Sequence, residues 1–309
     1  MGVERIHKLL SCSFEREFVT LTASGTMAIV VALESLSLPS QSGVVIPSIC
    51  CPAVLSAIQI AGHRPVIADV DAKTICMGVK EIAAVLDDNC RAILAVHAYG
   101  RPCEMGLIQD FCHRRNLVLI EDACLSYGNV MKEGPVGAFG DLSLISFGYD
   151  KPIDCGGGGA LMTNDKCLAK QMASLVRSNP IMAMRDNHVG VLMDLFPRLP
   201  ETVLKRIANT EKYGECITTP GVMLPDLGYG YWRLPLLVDG MRDEIIQKAK
   251  TEEITITSHY RSLSGFSHSA FTPVADRIDA TILNAFTHPQ MEEQHIIRLS
   301  RFLNEFDYG

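Results

Sequence analysis

The sequence lacks the features that mark membrane, secreted and metal-binding proteins. No run of about 18 apolar residues occurs, so no segment is expected to span a bilayer. The first ten residues carry charges at Glu4, Arg5 and Lys8 and no long apolar core, which argues against a secretory signal. No two cysteines have the CxxC spacing, which excludes the usual zinc and dithiol motifs. We therefore expect a cytoplasmic protein with no metal site and no membrane partner.

Basic residues are also scarce. The 309 residues include 28 Lys and Arg against 35 Asp and Glu, a net charge of −7. Nucleic-acid-binding proteins hold the phosphate backbone with clustered Lys and Arg, so this balance argues against a nucleic-acid partner. Hydrophobic residues at 48% and charged residues at 20% are typical of a globular protein, and the length corresponds to roughly two domains.

Cysteine, by contrast, is plentiful. Eleven cysteines are scattered along the chain, and their number is odd. In a chain without a secretory signal, this favours reduced thiols that pack as small hydrophobic side chains. We interpret the adjacent Cys50 and Cys51 in the same way, because neighbouring cysteines rarely form a disulfide.

Short apolar runs alternate with helix-like stretches through the first half. The apolar runs predict strands covered on both faces, at 18–22, 43–47, 66–70, 92–97, 117–121, 142–147 and 160–163. Helices are predicted between them at 26–36, 52–61, 79–86 and 104–115. The alternation predicts an α/β fold with a mostly parallel, seven-stranded sheet. One antiparallel strand is expected at the end, because no helix fits between the last two runs.

The second half changes character. Segment 179–200 carries three prolines and little periodicity. Beyond it the pattern predicts strands at 231–238 and 254–259, and helices at 201–213, 242–252, 276–285 and 291–306. We therefore divide the chain into a large domain, 1–178, and a connecting segment with a small C-terminal α/β domain, 179–309.

Two of the predicted strands end in groups that could bind a ligand. Ligands of open parallel sheets bind beyond the carboxyl ends of the strands. There, Ser24, Gly25 and Thr26 form a turn before a helix, where backbone N–H groups suit a phosphate; an ordinary helix cap is the alternative. Asp122, next to Glu121, ends a buried strand, where a carboxylate needs a partner. An exposed loop acid is the alternative.

A lysine follows a third strand. Lys151 lies in a turn-rich segment close to Gly156–Gly159, between two apolar strands. A lysine held near a sheet can lose its proton and attack a carbonyl, although a flexible surface loop is the alternative. Together, a phosphate-binding turn, a buried acid and this lysine are what pyridoxal 5′-phosphate (PLP) requires. The lysine forms a Schiff base with the aldehyde, and the acid keeps the ring nitrogen protonated.

The same residues carry a resemblance to a known family. The motifs are Ser24-Gly25-Thr26, Val45-Ile46-Pro47-Ser48, Val96-His97-Ala98-Tyr99-Gly100, Ile120-Glu121-Asp122-Ala123, and Gly140-Asp141 followed by Ser146-Phe147 and Lys151. In order and spacing they resemble the DegT/DnrJ/EryC1/StrS family of PLP-dependent aminotransferases of fold type I. The resemblance is specific over 18–165 and weaker beyond, and it indicates a divergent, short subgroup.

The resemblance implies a role for each matching residue. Lys151 stands where the family attaches the cofactor and moves the proton, and Asp122 where its acid pairs with the ring nitrogen. Ser146 stands at a phosphate-contacting position, and Gly25 and Thr26 in the phosphate turn. Family members are usually homodimers with shared active sites. They commonly aminate nucleotide-linked keto sugars or keto cyclitols, with glutamate or glutamine as donor.

Two positions depart from the family pattern at the cofactor ring. Leu125 replaces a frequent glutamine, and Cys51 replaces an aromatic residue that stacks on the ring. We expect a PLP-dependent aminotransferase that moves an amino group from an amino-acid donor to a keto sugar, a cyclitol or another biosynthetic ketone. The alternatives are another PLP reaction (elimination, decarboxylation, racemisation or C–C bond formation) and a non-catalytic partner that retains the fold.

Several other residues are less clearly functional. His97 ends a strand, where it could line the site, and a hydrogen-bonded structural histidine is the favoured interpretation. Trp232, the single tryptophan, is expected to pack in the small domain. The Tyr149-Asp150 pair beside the lysine suits a turn role and a substrate role equally. The His259-Tyr260 pair is a weaker candidate for a substrate contact.

Overall fold

The computed structural model describes residues 2–266 and 270–308. Seven strands form its central sheet: β1 (Phe18–Thr22), β2 (Gly43–Pro47), β3 (Arg64–Ala68), β4 (Cys90–Val96), β5 (Val118–Asp122), β8 (Leu142–Ser146) and β9 (Gly159–Thr163). Two short strands, β6 (Val130–Met131) and β7 (Gly134–Pro135), form a separate hairpin. The order in the sheet is β1-β9-β8-β5-β4-β2-β3, and only β9 runs antiparallel to its neighbours. The predicted mostly parallel sheet with one antiparallel strand is confirmed.

Helices cover both faces of this sheet: α1 (Gly2–Phe14), α2 (Gly25–Ser35), α3 (Pro52–Ile60), α4 (Val79–Val85), α5 (Met105–Arg115), α6 (Lys166–Ser178) and α7 (Asp186–Leu195). Along β2, Val44 and Ile46 pack with α2 and α3, whereas Val45 packs on the opposite face with α4 and α5. Because both faces are buried, the strands are apolar throughout rather than alternating.

The sequence analysis did not predict three of these helices. Helix α1 is amphipathic, and its buried residues Ile6, Leu10 and Phe14 recur every fourth position. Helix α7 lies in the proline-containing segment 179–200 and packs with α1 through Val189 and Leu192. Helix α6 begins at the cap residue Asp165, whose side chain accepts two backbone N–H bonds. Each of these helices buries only one narrow face, so its apolar signal is sparse.

The C-terminal half contains α8 (Leu199–Cys216), β10 (Val222–Met223), β11 (Arg233–Val238), α9 (Arg242–Thr251), α10 (Pro273–Thr281), β12 (Ile282–Phe286) and α11 (Glu293–Glu305). Strands β10, β11 and β12 form an antiparallel sheet in that order. One hydrophobic cluster joins this sheet to the large one, through residues such as Leu234 and Ile93. The division of the chain after residue 178 stays a prediction.

The helix predicted at 276–285 is wrong in its second half. Helix α10 ends at Thr281, and the next residues form β12. Leu283 there pairs with Leu236 of β11 and is fully buried. A short apolar run suits a helix or a strand equally, and the pairing with β11 decides it.

The strand predicted at 254–259 is also wrong. This segment touches β12 through a single bridge, between Thr257 and Asn284, and forms no ladder. At 259–260 the backbone binds the side chain of Asn284 and the hydroxyl of Tyr99 rather than continuing a ladder. Among the described residues, no helix combines the length and the hydrophobicity needed to cross a membrane.

Candidate active site

Two adjacent carboxylates end β5, and the structure gives them different environments. Glu121 is fully buried, and its oxygens accept hydrogen bonds from the amides of Gly137 and Phe139, each at 2.8 Å. It also binds His97 Nε2 at 2.9 Å, while His97 Nδ1 accepts the amide of Cys103 at 2.9 Å. A ring nitrogen that accepts carries no proton, so Nε2 is the donor and the imidazole is neutral. The structural interpretation of His97 is confirmed.

Asp122 points to the opposite face of the strand, because successive side chains alternate. It is 5% exposed, and its Oδ1 accepts the backbone amide of Cys124 at 3.0 Å. Burial, reinforced by the neighbouring Asp122 carboxylate, raises the pKa of the Cys124 thiol well above its ordinary value. The Cys124 thiol therefore stays protonated. Asp122 lines a small cavity, and the remaining lone pairs of its carboxylate can accept hydrogen bonds from a ligand there.

Lys151 lines the same cavity, from the loop that follows β8. Its amide donates to the carbonyl of Gly148 at 3.2 Å, which closes the turn. Its Nζ lies 5.8 Å from the ring centroid of Trp232. The loop therefore brings the ammonium group to the carboxyl edge of the sheet, where Asp122 also lies.

The residue before the lysine anchors this loop. Asp150 has a left-handed backbone, with φ of 58°, and its carboxylate pairs with the guanidinium groups of Arg233 and Arg206. Arg206 lies on α8 and Arg233 on β11, so the ion pairs tie the loop to the C-terminal half. Tyr149, in contrast, is 87% exposed. Of the two roles open for Asp150, the contacts favour the turn.

The two departures from the family pattern both face the cavity. Cys51 and Leu125 line it together with Asp122, Lys151 and Tyr260. Its volume is about 30 Å³, enough for a water molecule or two and smaller than a pyridine ring. A ring-sized ligand therefore requires some of the lining side chains to move.

The turn before α2 lies just behind this cavity rather than on its lining. Ser24 caps the helix, and its Oγ accepts the amide of Met27 at 3.1 Å. The amides of Gly25 and Thr26 belong to the first helical turn, which leaves them without an intrahelical acceptor. They are therefore available to an anion, as is the positive end of the helix dipole.

Gly25 makes the contact that joins this turn to the cavity. A Cβ atom at this position would lie 2.9 Å from the Cβ of Ser146 and 3.0 Å from the Sγ of Cys124. Only a glycine therefore fits between the two side chains. Ser146 ends β8, and its Oγ accepts the amide of Gly148 at 3.3 Å. The turn, Ser146 and the cavity form one continuous site at the carboxyl edge of the sheet.

An aromatic stack forms the other wall of the cavity. Tyr260 stacks on Trp232 with centroids 5.6 Å apart and an interplanar angle of 10°, and on Tyr99 at 5.9 Å and 29°. The Tyr99 hydroxyl binds the backbone of His259 and Tyr260, and the Trp232 amide donates to the Tyr99 carbonyl at 2.7 Å. Trp232 packs in the core that includes the small sheet, as expected, and it also supports this wall by stacking on Tyr260.

A cationic group borders the stack. The Arg233 guanidinium lies 4.6 Å from the Trp232 ring centroid and 3.9 Å from that of Phe286. Within the described part of the chain, Nε1 of Trp232 and Nε of Arg233 are buried and have no hydrogen-bond partner. These two donors are free to bind a polar ligand that reaches the wall.

The functional groups at this site are of the types that bind PLP. A carboxylate, a lysine and a helix N-terminus with a hydroxyl at its side are the groups that hold a pyridine nitrogen, an aldehyde and a phosphate. No group of three or more His, Cys, Asp or Glu side chains suited to a metal ion occurs among residues 2–266 and 270–308.

Comparison with known proteins gives a consistent result. The model of the DegT/DnrJ/EryC1/StrS aminotransferase family matches residues 3–303. The chain is 37% identical to a GDP-perosamine synthase of Escherichia coli O157:H7 over 152 residues, which cover 49% of this chain and 42% of that protein. It is 26% identical to a UDP-N-acetyl-3-dehydro-alpha-D-glucosamine 3-aminotransferase of Acidithiobacillus ferrooxidans, over 93% of this chain and 84% of that protein.

Solved structures share the fold. An aminotransferase of the same family from Brucella abortus superposes with a TM-score of 0.91 at 24% identity. The superposition covers 99% of this chain and 91% of that one. The match to the perosamine synthase, in contrast, spans less than half the length of that protein.

Proposed function

Because the chain belongs to the DegT/DnrJ/EryC1/StrS aminotransferase family, we propose that it is a PLP-dependent aminotransferase. It moves an amino group from an amino-acid donor to a ketone acceptor. The observation that carries this proposal is that Asp122 and Lys151, from the ends of two neighbouring strands, line one cavity. The acid and the amine that PLP chemistry needs thus lie at one place.

Each residue of the site has a part in this proposal. PLP, when bound, supplies an electron-withdrawing ring that stabilises negative charge on the substrate carbon. Lys151 binds the aldehyde carbon and carries the proton to and from the substrate through its Nζ. Asp122 holds a proton on the ring nitrogen through its carboxylate. The amides of Gly25 and Thr26, with the hydroxyls of Ser24 and Ser146, bind the phosphate.

We assign Cys51 and Leu125 to the surroundings of the ring. Both line the cavity with Asp122 and Lys151, so a ring bound there would contact them. Neither side chain carries a charge or a strong hydrogen-bonding group, so the ring would be held by dispersion contacts and by Tyr260.

The acceptor we favour is a keto sugar or a keto cyclitol. The relatives at 26% to 37% identity include a GDP-perosamine synthase and a sugar 3-aminotransferase, and an L-glutamine:scyllo-inosose aminotransferase of Streptomyces griseus is 31% identical over 55% of this chain. The free donors of Trp232 and Arg233 suit the hydroxyl groups of such an acceptor.

We further propose a cytoplasmic homodimer. A phosphate dianion needs several hydrogen-bond donors, and one helix N-terminus with two hydroxyl groups supplies few of them. Arg185 and Asn187, exposed at the start of α7, are candidates to complete the site of a second subunit. The free state of all eleven cysteines suits a reducing compartment. Sedimentation with and without PLP tests the dimer, and a monomer that binds PLP tightly would contradict the shared site.

A half-reaction with L-glutamate tests the proposed activity. The purified protein, loaded with PLP, should be yellow, and glutamate should bleach it as the amino group moves to the cofactor. Addition of 2-oxoglutarate should restore the colour. A protein that binds PLP but does not respond to glutamate or glutamine would favour the second candidate, another PLP reaction. Leu125 motivates that candidate, since a changed residue beside the ring can alter which bond breaks. A protein that does not bind PLP would contradict both.

A further inference from the structure

A second cavity lies away from the lysine, between the loops that follow β3 and β4. Its volume is about 340 Å³, and its lining includes Cys76, Arg101 and Cys103. The rim carries the exposed side chains of Lys80 and Leu107, so the cavity reaches solvent. Strands β3 and β4 both border β2, which brings the two loops and their cysteines together.

The two thiols of this cavity contact each other. Cys76 and Cys103 share a side-chain hydrogen bond. Cys76 Sγ also lies 3.6 Å from the carbonyl oxygen of Arg101, and Cys103 Sγ lies 3.3 Å from that of Val96. Each sulfur atom thus contacts a backbone carbonyl oxygen as well as the other thiol.

The surroundings make one member of the pair nucleophilic. The hydrogen bond from the Cys103 thiol lowers the pKa of Cys76 against the opposing effect of burial, and a backbone hydrogen bond with Ala98 and the nearby charge of Arg101 act in the same direction as that bond. Burial raises the pKa of Cys112 to about 12, which is the usual fate of a buried thiol. Since the thiolate is the reactive form, Cys76 differs from the other buried cysteines in chemistry rather than in exposure.

We propose that Cys76 and Cys103 form a redox modification site, at which a peroxide converts the two thiols into a disulfide. The Cys76 sulfur attacks one peroxide oxygen, an S–O bond forms, the O–O bond breaks, and hydroxide leaves. The Cys103 sulfur then attacks the Cys76 sulfur, an S–S bond forms, and the oxygen leaves as water with the Cys103 proton. In sum, two thiols are oxidised by two electrons, and one peroxide is reduced to two water molecules.

A disulfide at Cys103 would affect a segment close to the aromatic residues of the first cavity. The Cys103 amide binds His97, and residues 97–103 also carry Tyr99. A covalent link at Cys103 would therefore restrain the segment that positions Tyr99. In reducing compartments, protein disulfides are usually transient and redox-sensing, which suits such a reversible link. The assignment does not depend on the proposed reaction.

Peptide mapping of the full chain tests the site. Trypsin releases Cys76 in the peptide 74–80. Cys103 stays with Cys112 in the peptide 92–114, because Pro102 blocks cleavage after Arg101. The variant Cys112→Ser removes this ambiguity and serves as the matched control. Reduced protein is treated with equimolar hydrogen peroxide, alkylated and digested. We expect peptides 74–80 and 92–114 to be joined in this variant, and dithiothreitol to separate them.

A second variant isolates the first step. In Cys103→Ser the sulfenic acid on Cys76 has no partner, so dimedone should label Cys76 about tenfold faster than Cys112. The proposal is overturned if the exposed Cys12 and Cys167 oxidise while peptides 74–80 and 92–114 stay unlinked. Equal labelling of Cys76 and Cys112 would overturn it as well. If a variant does not fold, fragmentation of the linked peptide from the unmodified sequence gives the same answer.

Discussion

The cavity at Lys151 has two walls that differ in origin. We call the first the strand-end wall; it consists of Asp122 and Lys151, which line the cavity, and of Gly25 and Ser146 behind the lining, all of which lie at or just beyond the ends of strands of the large sheet. The second is the aromatic wall, in which Tyr99 and Tyr260 line the cavity and Trp232 stacks on Tyr260. The strand-end wall carries the groups that can hold a charge or a proton. The aromatic wall carries flat surfaces and sets the space between the walls. The comparison indicates that the groups for acid–base chemistry and the surfaces that shape the cavity come from different walls.

The largest effect is expected at the lysine. Lys151→Ala should abolish both covalent attachment of PLP and turnover, because no other amine lies at the end of β8. Lys132→Ala, which removes an exposed lysine of the β6–β7 turn, is the matched control and should leave both unchanged. A borohydride-stable adduct at another lysine of the Lys151→Ala protein would show that the assignment is wrong.

The second largest effect is expected at the acid that faces the cavity. Asp122→Asn keeps the size of the side chain but removes the charge that holds the proton on the ring nitrogen. We expect kcat to fall on the order of 100-fold or more, with a smaller change in PLP occupancy, the pattern of a group that acts mainly in the transition state. Steady-state kinetics and absorption spectra measure the two quantities. Unchanged kcat would remove Asp122 from the mechanism.

The neighbouring carboxylate should respond in a different quantity. Glu121→Gln replaces one acceptor oxygen with an N–H donor, against the buried amides of Gly137 and Phe139. An unmet buried donor or acceptor costs about 1–3 kcal/mol, so the free energy of unfolding should fall by about that amount. Denaturant titration of Glu121→Gln beside Asp122→Asn measures the contrast. Equal loss of stability in both variants would contradict the division of roles.

The smallest effect is expected at the aromatic wall. Tyr260→Leu keeps an apolar side chain but removes the ring that stacks on Trp232 and Tyr99. We expect the Kd for PLP to rise by roughly tenfold or less, with a smaller change in kcat, because an aromatic contact with the cofactor ring contributes about 0.5–1.5 kcal/mol. Tyr149→Leu, at an exposed tyrosine beside the lysine loop, is the control. A loss of kcat as large as that of Asp122→Asn would place Tyr260 with the strand-end wall.

The strand-end wall could be predicted from the sequence because local sequence patterns mark its residues. Each of its residues follows a continuous apolar run, and parallel strands bring their carboxyl ends to one edge. The predicted strands of the large sheet match the observed ones with shifts of at most two residues. The resemblance to the family then singled out Asp122 and Lys151 from the other acids and lysines.

The aromatic wall could not be predicted, because it depends on contacts between distant residues. Tyr99 and Tyr260 are 161 positions apart. The backbone amide of Tyr260 donates to the Tyr99 hydroxyl and takes no part in a sheet ladder. The same limit explains β12, whose apolar residues become a strand only because β11 lies beside them. The anchor from Asp150 to Arg206 and Arg233 is of the same kind. Sequence patterns show which residues are buried, whereas partners so far apart have to be observed.

The most direct test of the account is borohydride trapping. The purified protein is incubated with PLP, reduced with sodium borohydride and mapped by peptide mass spectrometry. The account predicts one phosphopyridoxyl adduct per chain, at Lys151, and its loss in Lys151→Ala. A yellow protein whose adduct lies at another lysine, or a protein that carries no adduct at saturating PLP, would contradict it.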